Sequence, residues 1–175
     1  MNAERSLKKA KKRFNVLLRF LYGGRVIPES KLIEHEVTVR QLTLSKEVVL
    51  SKRAMVRWLA LALGLISPNE SRQSLLDVLE VLLEFHFDGV QPTSGEVIEA
   101  VNKKSSTISP KTVRYHLTQL TKKGIIQCKN RRYSFPKSDY PNDSLSSAVY
   151  RVYEKTLKES FSRIDKVLEM FERNR

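Results

Sequence analysis

Lys111, Thr112, Arg114, Tyr115, Thr118, Gln119 and Lys122 crowd one short stretch of the chain. Their types suit the reading of nucleic acid. Arginine bonds both acceptors of guanine in the major groove, glutamine pairs with adenine, and threonine and lysine hold phosphates or base edges. Around them, Lys103, Lys104, Lys111, Arg114, Lys122, Lys123, Lys129, Arg131, Arg132 and Lys137 make ten basic residues with no acidic one between 103 and 137. A merely solvated surface mixes both signs, so this segregation points to a polyanionic partner. Catalytic chemistry finds no comparable set: there is no glycine-rich phosphate loop, no His-x-x-x-His pair and no nucleophile motif. His35, His86 and His116 are too scattered in sequence to argue for a metal, and His116 is read as a residue at the edge of a packed face. The single cysteine, Cys128, excludes an internal disulfide and a cysteine-rich zinc cluster and fits a reducing cytosol. The expectation is a protein that is not an enzyme, with no metal and no bound cofactor. An effector held in an apolar pocket would leave no mark in the sequence.

The basic residues need elements to aim them. Ile108-Ser-Pro-Lys-Thr-Val113 combines Ser109 as cap, Pro110 at the first helical position, and Ile108 placed to staple against Val113. A helix therefore opens at 110 and ends at Gly124, which can take the left-handed cap conformation. On a helical wheel Val113, Leu117 and Leu120 share a packing face, leaving Lys111, Tyr115, Thr118 and Lys122 opposite and Arg114 and Gln119 on the flanks. Two short apolar-alternating strands follow, at 125–128 and 133–135, with Lys129-Asn-Arg-Arg132 as a basic loop between them.

The string Ser109-Pro-Lys-Thr-Val-Arg-Tyr-His-Leu117, then Leu120, then Gly124-Ile-Ile126, resembles the recognition helix and first wing strand of winged helix-turn-helix transcription regulators. The resemblance covers residues 70–137, less than half the chain. It implies a first helix at 75–85, a second at 95–101, the recognition helix at 110–123 and a wing at 125–135. It also implies that the recognition helix enters the major groove while the wing lies along the backbone or minor groove. The link at 102–108 is longer than the tight turn of a strict helix-turn-helix.

Elsewhere the pattern is mostly helical. Leu7, Ala10, Phe14, Leu17, Leu18 and Leu21 recur at helical spacing beside Lys8, Lys9, Lys11, Lys12 and Arg13, a basic amphipathic helix able to lie on a membrane or on DNA phosphates and read first as docked on its neighbours with a solvated basic face. Alternation at 36–44 suggests a bulged strand or hairpin. Ser51 caps a helix with Ala54, Met55, Trp58, Leu59, Ala62 and Leu65 on its apolar face, and Ser67-Pro68 restarts the chain into a helix from about Asn69 to Asp88-Gly89. Thr93-Ser-Gly-Glu96 has the spacing of a capping box. Tyr140-Pro-Asn-Asp143 is a turn, and in the helix beyond it Leu157, Phe161, Ile164, Leu168 and Phe171 form a two-heptad seam able to pair with a second copy or with the N-terminal helix.

A net charge of +13 agrees with a nucleic-acid partner or an anionic membrane surface. The most apolar run, 58–66, is about half of what a bilayer crossing needs. The sequence thus predicts a mainly α fold with a small β-hairpin wing: an N-terminal part at 1–66, a winged helix-turn-helix domain at 67–138, and a long C-terminal helix at 143–175. The expected partner is double-stranded DNA, bound in the cytoplasm or on the nucleoid by Lys103, Lys104, Ser109, Lys111, Thr112, Arg114, Tyr115, Thr118, Gln119, Lys122, Lys129, Arg131 and Arg132. The expected assembly is a homodimer with no membrane contact. A winged-helix protein-interaction module and a sequence-neutral architectural or RNA-binding protein stay open as alternatives.

Overall fold

Helix starts in this chain are written by short polar residues. In the computed structural model, which describes residues 29–34, 36–104, 108–136 and 144–175, the Oγ atoms of Ser51, Ser109 and Ser144 each accept from the backbone N–H three residues on. Each serine satisfies one of the orphan donors of a first helical turn. The protein divides into two units, Met1–Glu36 and Val37–Arg175. In the first, Glu29–Lys31 forms a single 3-10 turn, and the amphipathic helix expected over 7–21 lies outside the described residues. The second unit carries α1 (Lys46–Val49), α2 (Lys52–Ala62), α3 (Gln73–Phe87), α4 (Ser94–Lys104), α5 (Pro110–Lys122), β1 (Gln127–Lys129), β2 (Arg132–Ser134) and α6 (Leu145–Arg173).

Helix α3 is the hub. Its Leu75, Leu76, Val78, Leu79, Val81 and Leu82 are all buried, on more than one face, because α2, α4 and α5 each pack against it. Val97 and Val101 of α4 and Val113, Leu117 and Leu120 of α5 close the core, with Ile125, Ile126 and Phe135 entering from the hairpin. Burial of one such aliphatic side chain stabilises the fold by about 1.5–3 kcal/mol. The Thr93 capping box forms as expected: Thr93 N–H donates to Glu96 Oε2 at 2.6 Å and Glu96 N–H to Thr93 Oγ1 at 3.3 Å. The first of these bonds also holds the Glu96 carboxyl below its ordinary pKa.

The fold is thus mainly helical, with a two-stranded antiparallel hairpin and a long C-terminal helix, the winged-helix architecture expected. Four local expectations are corrected. Residues 36–44 form no strand; Arg40 instead donates its guanidinium to the carbonyls of Leu61 and Ile66, at 2.7 and 2.9 Å, closing the end of α2. The first winged helix starts at Gln73 rather than Asn69, because Asn69 sits at φ 64°, a left-handed turn residue outside any helix. In α2 the buried residues are Val56, Ala60 and Ala62, while Met55 is exposed and Trp58 half-buried with its indole N–H on the Thr43 carbonyl. Val56 and Ala60 are the positions of this helix that join the buried core cluster. Finally, the basic loop is shorter than expected: Lys129 and Arg132 are a paired position of the hairpin, and the turn is Asn130-Arg131 alone.

Candidate nucleic-acid interface

The packing face of α5 is fully buried, with Val113 and Leu117 at 0% and Leu120 at 1% exposure. Burial of that face turns Lys111, Arg114, Tyr115, Thr118 and Lys122 outward, all exposed, with Thr112 and Gln119 half-buried at the margins. The amphipathic division read from the wheel therefore holds in three dimensions. Ser109 Oγ lies 3.1 Å from the Thr112 N–H and 2.9 Å from Thr112 Oγ1, so both side chains are engaged in the cap. Thr118 donates its hydroxyl to the Arg114 carbonyl at 2.9 Å, leaving its oxygen as an acceptor.

Gly124 ends the helix at φ 72°, where an L side chain is strained, and a Cβ there would come within 3.1 Å of Val152 on α6. The chain then enters the hairpin in the register Gln127 to Ser134, Cys128 to Tyr133 and Lys129 to Arg132. Asn130 at φ 51° and Arg131 at φ 61° give the two left-handed residues of a type I′ turn, whose twist matches the strands. Arg131 is thereby held at the very tip of the wing, exposed.

Arg132 has a different task, one that sequence reasoning missed. Its guanidinium donates to the Gln91 carbonyl at 2.7 Å and lies 3.8 Å from Glu96, while Tyr133 N–H donates to the Pro92 carbonyl at 2.8 Å. With the Thr93 to Arg132 bridge, the segment before α4 forms a minimal third edge to the hairpin and fixes the wing to the helices. A single bridge has no alternating pattern from which it could have been found.

The lysines at the end of α4 are similarly committed. Lys103 pairs with Glu99 at 2.9 Å on an exposed surface, and Lys104 reaches Glu80 at 3.1 Å and also Glu84 on α3. Burial works against the Lys104 ammonium, but the bonds to Glu84 and Glu80 outweigh it and raise its pKa. The structure thus leaves the basic residues of the α5 face and the wing tip exposed, and sets Lys104 and Arg132 to structural contacts.

His116, read from sequence as an edge residue, is instead buried at 6% exposure with Nε2 2.9 Å from Ser74 Oγ. Burial, and then the charge of Arg72, hold its imidazole below the ordinary pKa. The signal was present in the spacing, since 113, 116, 117 and 120 fall on one helical face.

The apolar seam expected to pair with a second copy lies on α6, where Leu157, Phe161, Ile164, Leu168 and Phe171 are 42%, 59%, 50%, 56% and 70% exposed. Its beginning forms one wall of an apolar groove of about 1270 Å³, whose opposite side carries Leu59, Leu63, Leu83 and Phe87. Among the described residues no group of His, Cys, Asp and Glu is arranged to hold a metal ion, and no helix is long and apolar enough to cross a membrane.

Comparison with known proteins finds no match among curated proteins or solved structures. A comparison with protein families matches residues 78–174, more than half the chain, to the family described as penicillinase repressor. That span takes in most of α3 and the whole of α4, α5, the hairpin and α6. With the helix order, the wing and the outward basic face of α5 already in place, the chain belongs to the penicillinase repressor family of winged-helix, DNA-binding transcription regulators.

Proposed function

We propose that this protein is a sequence-specific repressor that binds double-stranded DNA with α5 in the major groove and the wing on the adjacent backbone. The observation that carries this reading is the sorting of α5 into a buried apolar face and an exposed face of Lys111, Arg114, Tyr115 and Lys122. Lys111, Thr112, Arg114, Tyr115 and Gln119 read base edges; Lys122, Lys129 and Arg131 hold phosphates, joined by Lys103 when its exposed pair with Glu99 opens, with Ser109 and Thr118 at the margin of the contact. Lys104 and Arg132 contribute mainly by bracing α4 and the wing, since their charges are already paired.

A two-fold operator is matched by a homodimer, and the exposed α6 seam supports one. The second copy would cover an apolar surface that its own chain leaves open.

Selection of genomic fragments by the purified protein at near-physiological salt, followed by sequencing, tests the proposal. An enriched motif lost in the Lys111→Ala/Arg114→Ala double variant is the expected result. Retention of DNA without a motif would make the protein an architectural binder, and no retention would leave the winged helix as a protein-interaction module.

A further inference from the structure

His116 is the buried polar side chain of the core among the described residues, and it lies on the packing side of the helix proposed to read DNA. Its neighbours on that face, Val113, Leu117 and Leu120, are apolar, and apolar contact is non-directional. Such a face tolerates small rotations of α5 against α3. A hydrogen bond does not, because it weakens steeply with angle. The bond between His116 Nε2 and Ser74 Oγ, at 2.9 Å, joins the middle of α5 to the first turn of α3. Resting on the DNA-binding reading above, we propose that His116 is a positioning residue: its neutral imidazole, tied to Ser74, sets the rotation of α5 and so the aim of Lys111, Arg114 and Tyr115. A recognition constellation has to be held to within about 0.5 Å and 10–20° to be productive, which is the scale of motion this bond restrains.

The surroundings make the bond sensitive to charge. Through Ser74 the imidazole meets the first turn of α3, the positive end of that helix's dipole. Arg72 adds a full charge beside the imidazole. Glu70, paired with Arg72, offsets part of that charge, but the other nearby carboxylates are committed elsewhere: Asp77 and Glu80 are held by Arg53, and on α4 Glu99 pairs with Lys103 and Glu96 is committed to Thr93 and Arg132. On α5 itself the charged neighbours, Lys111, Arg114 and Lys122, are all cationic. Protonation of His116 therefore places a cation among cations, and α5 relieves the repulsion by shifting away from α3.

The test compares the affinity of the full chain for a duplex bearing the selected motif with that for a random duplex, at fixed ionic strength, near pH 7.5 and near pH 5.5. Ser74→Ala is expected to keep the wild-type circular dichroism while lowering the specific-to-random ratio about threefold to tenfold. His116→Gln, whose side-chain amide can still reach Ser74, is expected to hold the ratio at neutral pH. Acidification is expected to lower the ratio of the wild type and to leave that of His116→Gln flat. An unchanged ratio in folded Ser74→Ala, or a wild-type ratio no more pH-sensitive than that of His116→Gln, overturns the positioning role alone. Should Ser74→Ala not fold, the pH comparison between wild type and His116→Gln decides. A wild type that does not distinguish the two duplexes at neutral pH overturns the sequence-specific reading and this role with it.

Discussion

At the scale of single residues, the basic side chains divide by what anchors them. Arg114 projects from a helix whose opposite face is fully buried, so its position is fixed and its guanidinium is suited to one base pair. Arg131 sits exposed on a two-residue turn, where a cation is suited to phosphates of any sequence. Arg114→Ala is expected to reduce discrimination at one base pair by about 1–3 kcal/mol, while Arg131→Ala weakens all duplexes alike, as equilibrium binding to single-base variants of the motif would show. Equal losses on specific and random DNA in both variants would contradict this division. His116 adds a stability term with a definite sign. Its folded pKa is lowered from 6.5, so the unfolded chain takes up the proton first. Its contribution is complete above about pH 6.5 and is lost as pH falls toward the lowered folded value. The melting temperature of the wild type is expected to drop more steeply than that of His116→Gln across that interval.

At the scale of elements, α5 depends on its two ends. Ser109→Ala removes the acceptor of the Thr112 N–H and is expected to cost about 0.5–2 kcal/mol, read from denaturant unfolding. Gly124→Ala forces a Cβ into the left-handed region and toward Val152, so it is expected to destabilise by about 1 kcal/mol or more and to disturb the seat of α6 as well as the start of the wing. Loss of stability without any change in DNA binding by the folded fraction would separate the cap from recognition. The elements also show where sequence reading succeeded. Capping signals are local: Ser51, Thr93 and Ser109 bond groups three residues away, and each was legible from residue type and spacing. The roll of α2 was not, because Trp58 and Met55 look like core residues until the tertiary structure shows that Val56 and Ala60 join the buried core instead.

For the whole molecule, binding by several lysines and arginines releases counterions, so the logarithm of affinity is expected to fall linearly with the logarithm of salt, by about 0.9 for each phosphate neutralised. Lys122→Ala should lower that slope by about one phosphate's share, whereas a salt-independent affinity would argue against the basic surface as the contact. The α6 seam predicts a second molecular property. Leu168→Glu is expected to convert a dimer to a monomer by light scattering without loss of helicity, since Leu168 is 56% exposed within one chain. A wild type that is already monomeric at micromolar concentration would remove the dimer. The sequence by itself determined the helix 110–122, its caps, its two faces, the hairpin after it and the segregation of charge, because all of these rest on neighbours within a few positions. Only the tertiary structure decided that His116 is tied to Ser74, that Lys104 is drawn to Glu80 and Glu84, and that Arg132 braces the wing through Gln91 and Glu96. Those partners lie 20 or more residues apart in the chain, and it is the packing of α4 and α5 against α3 that brings them within bonding distance.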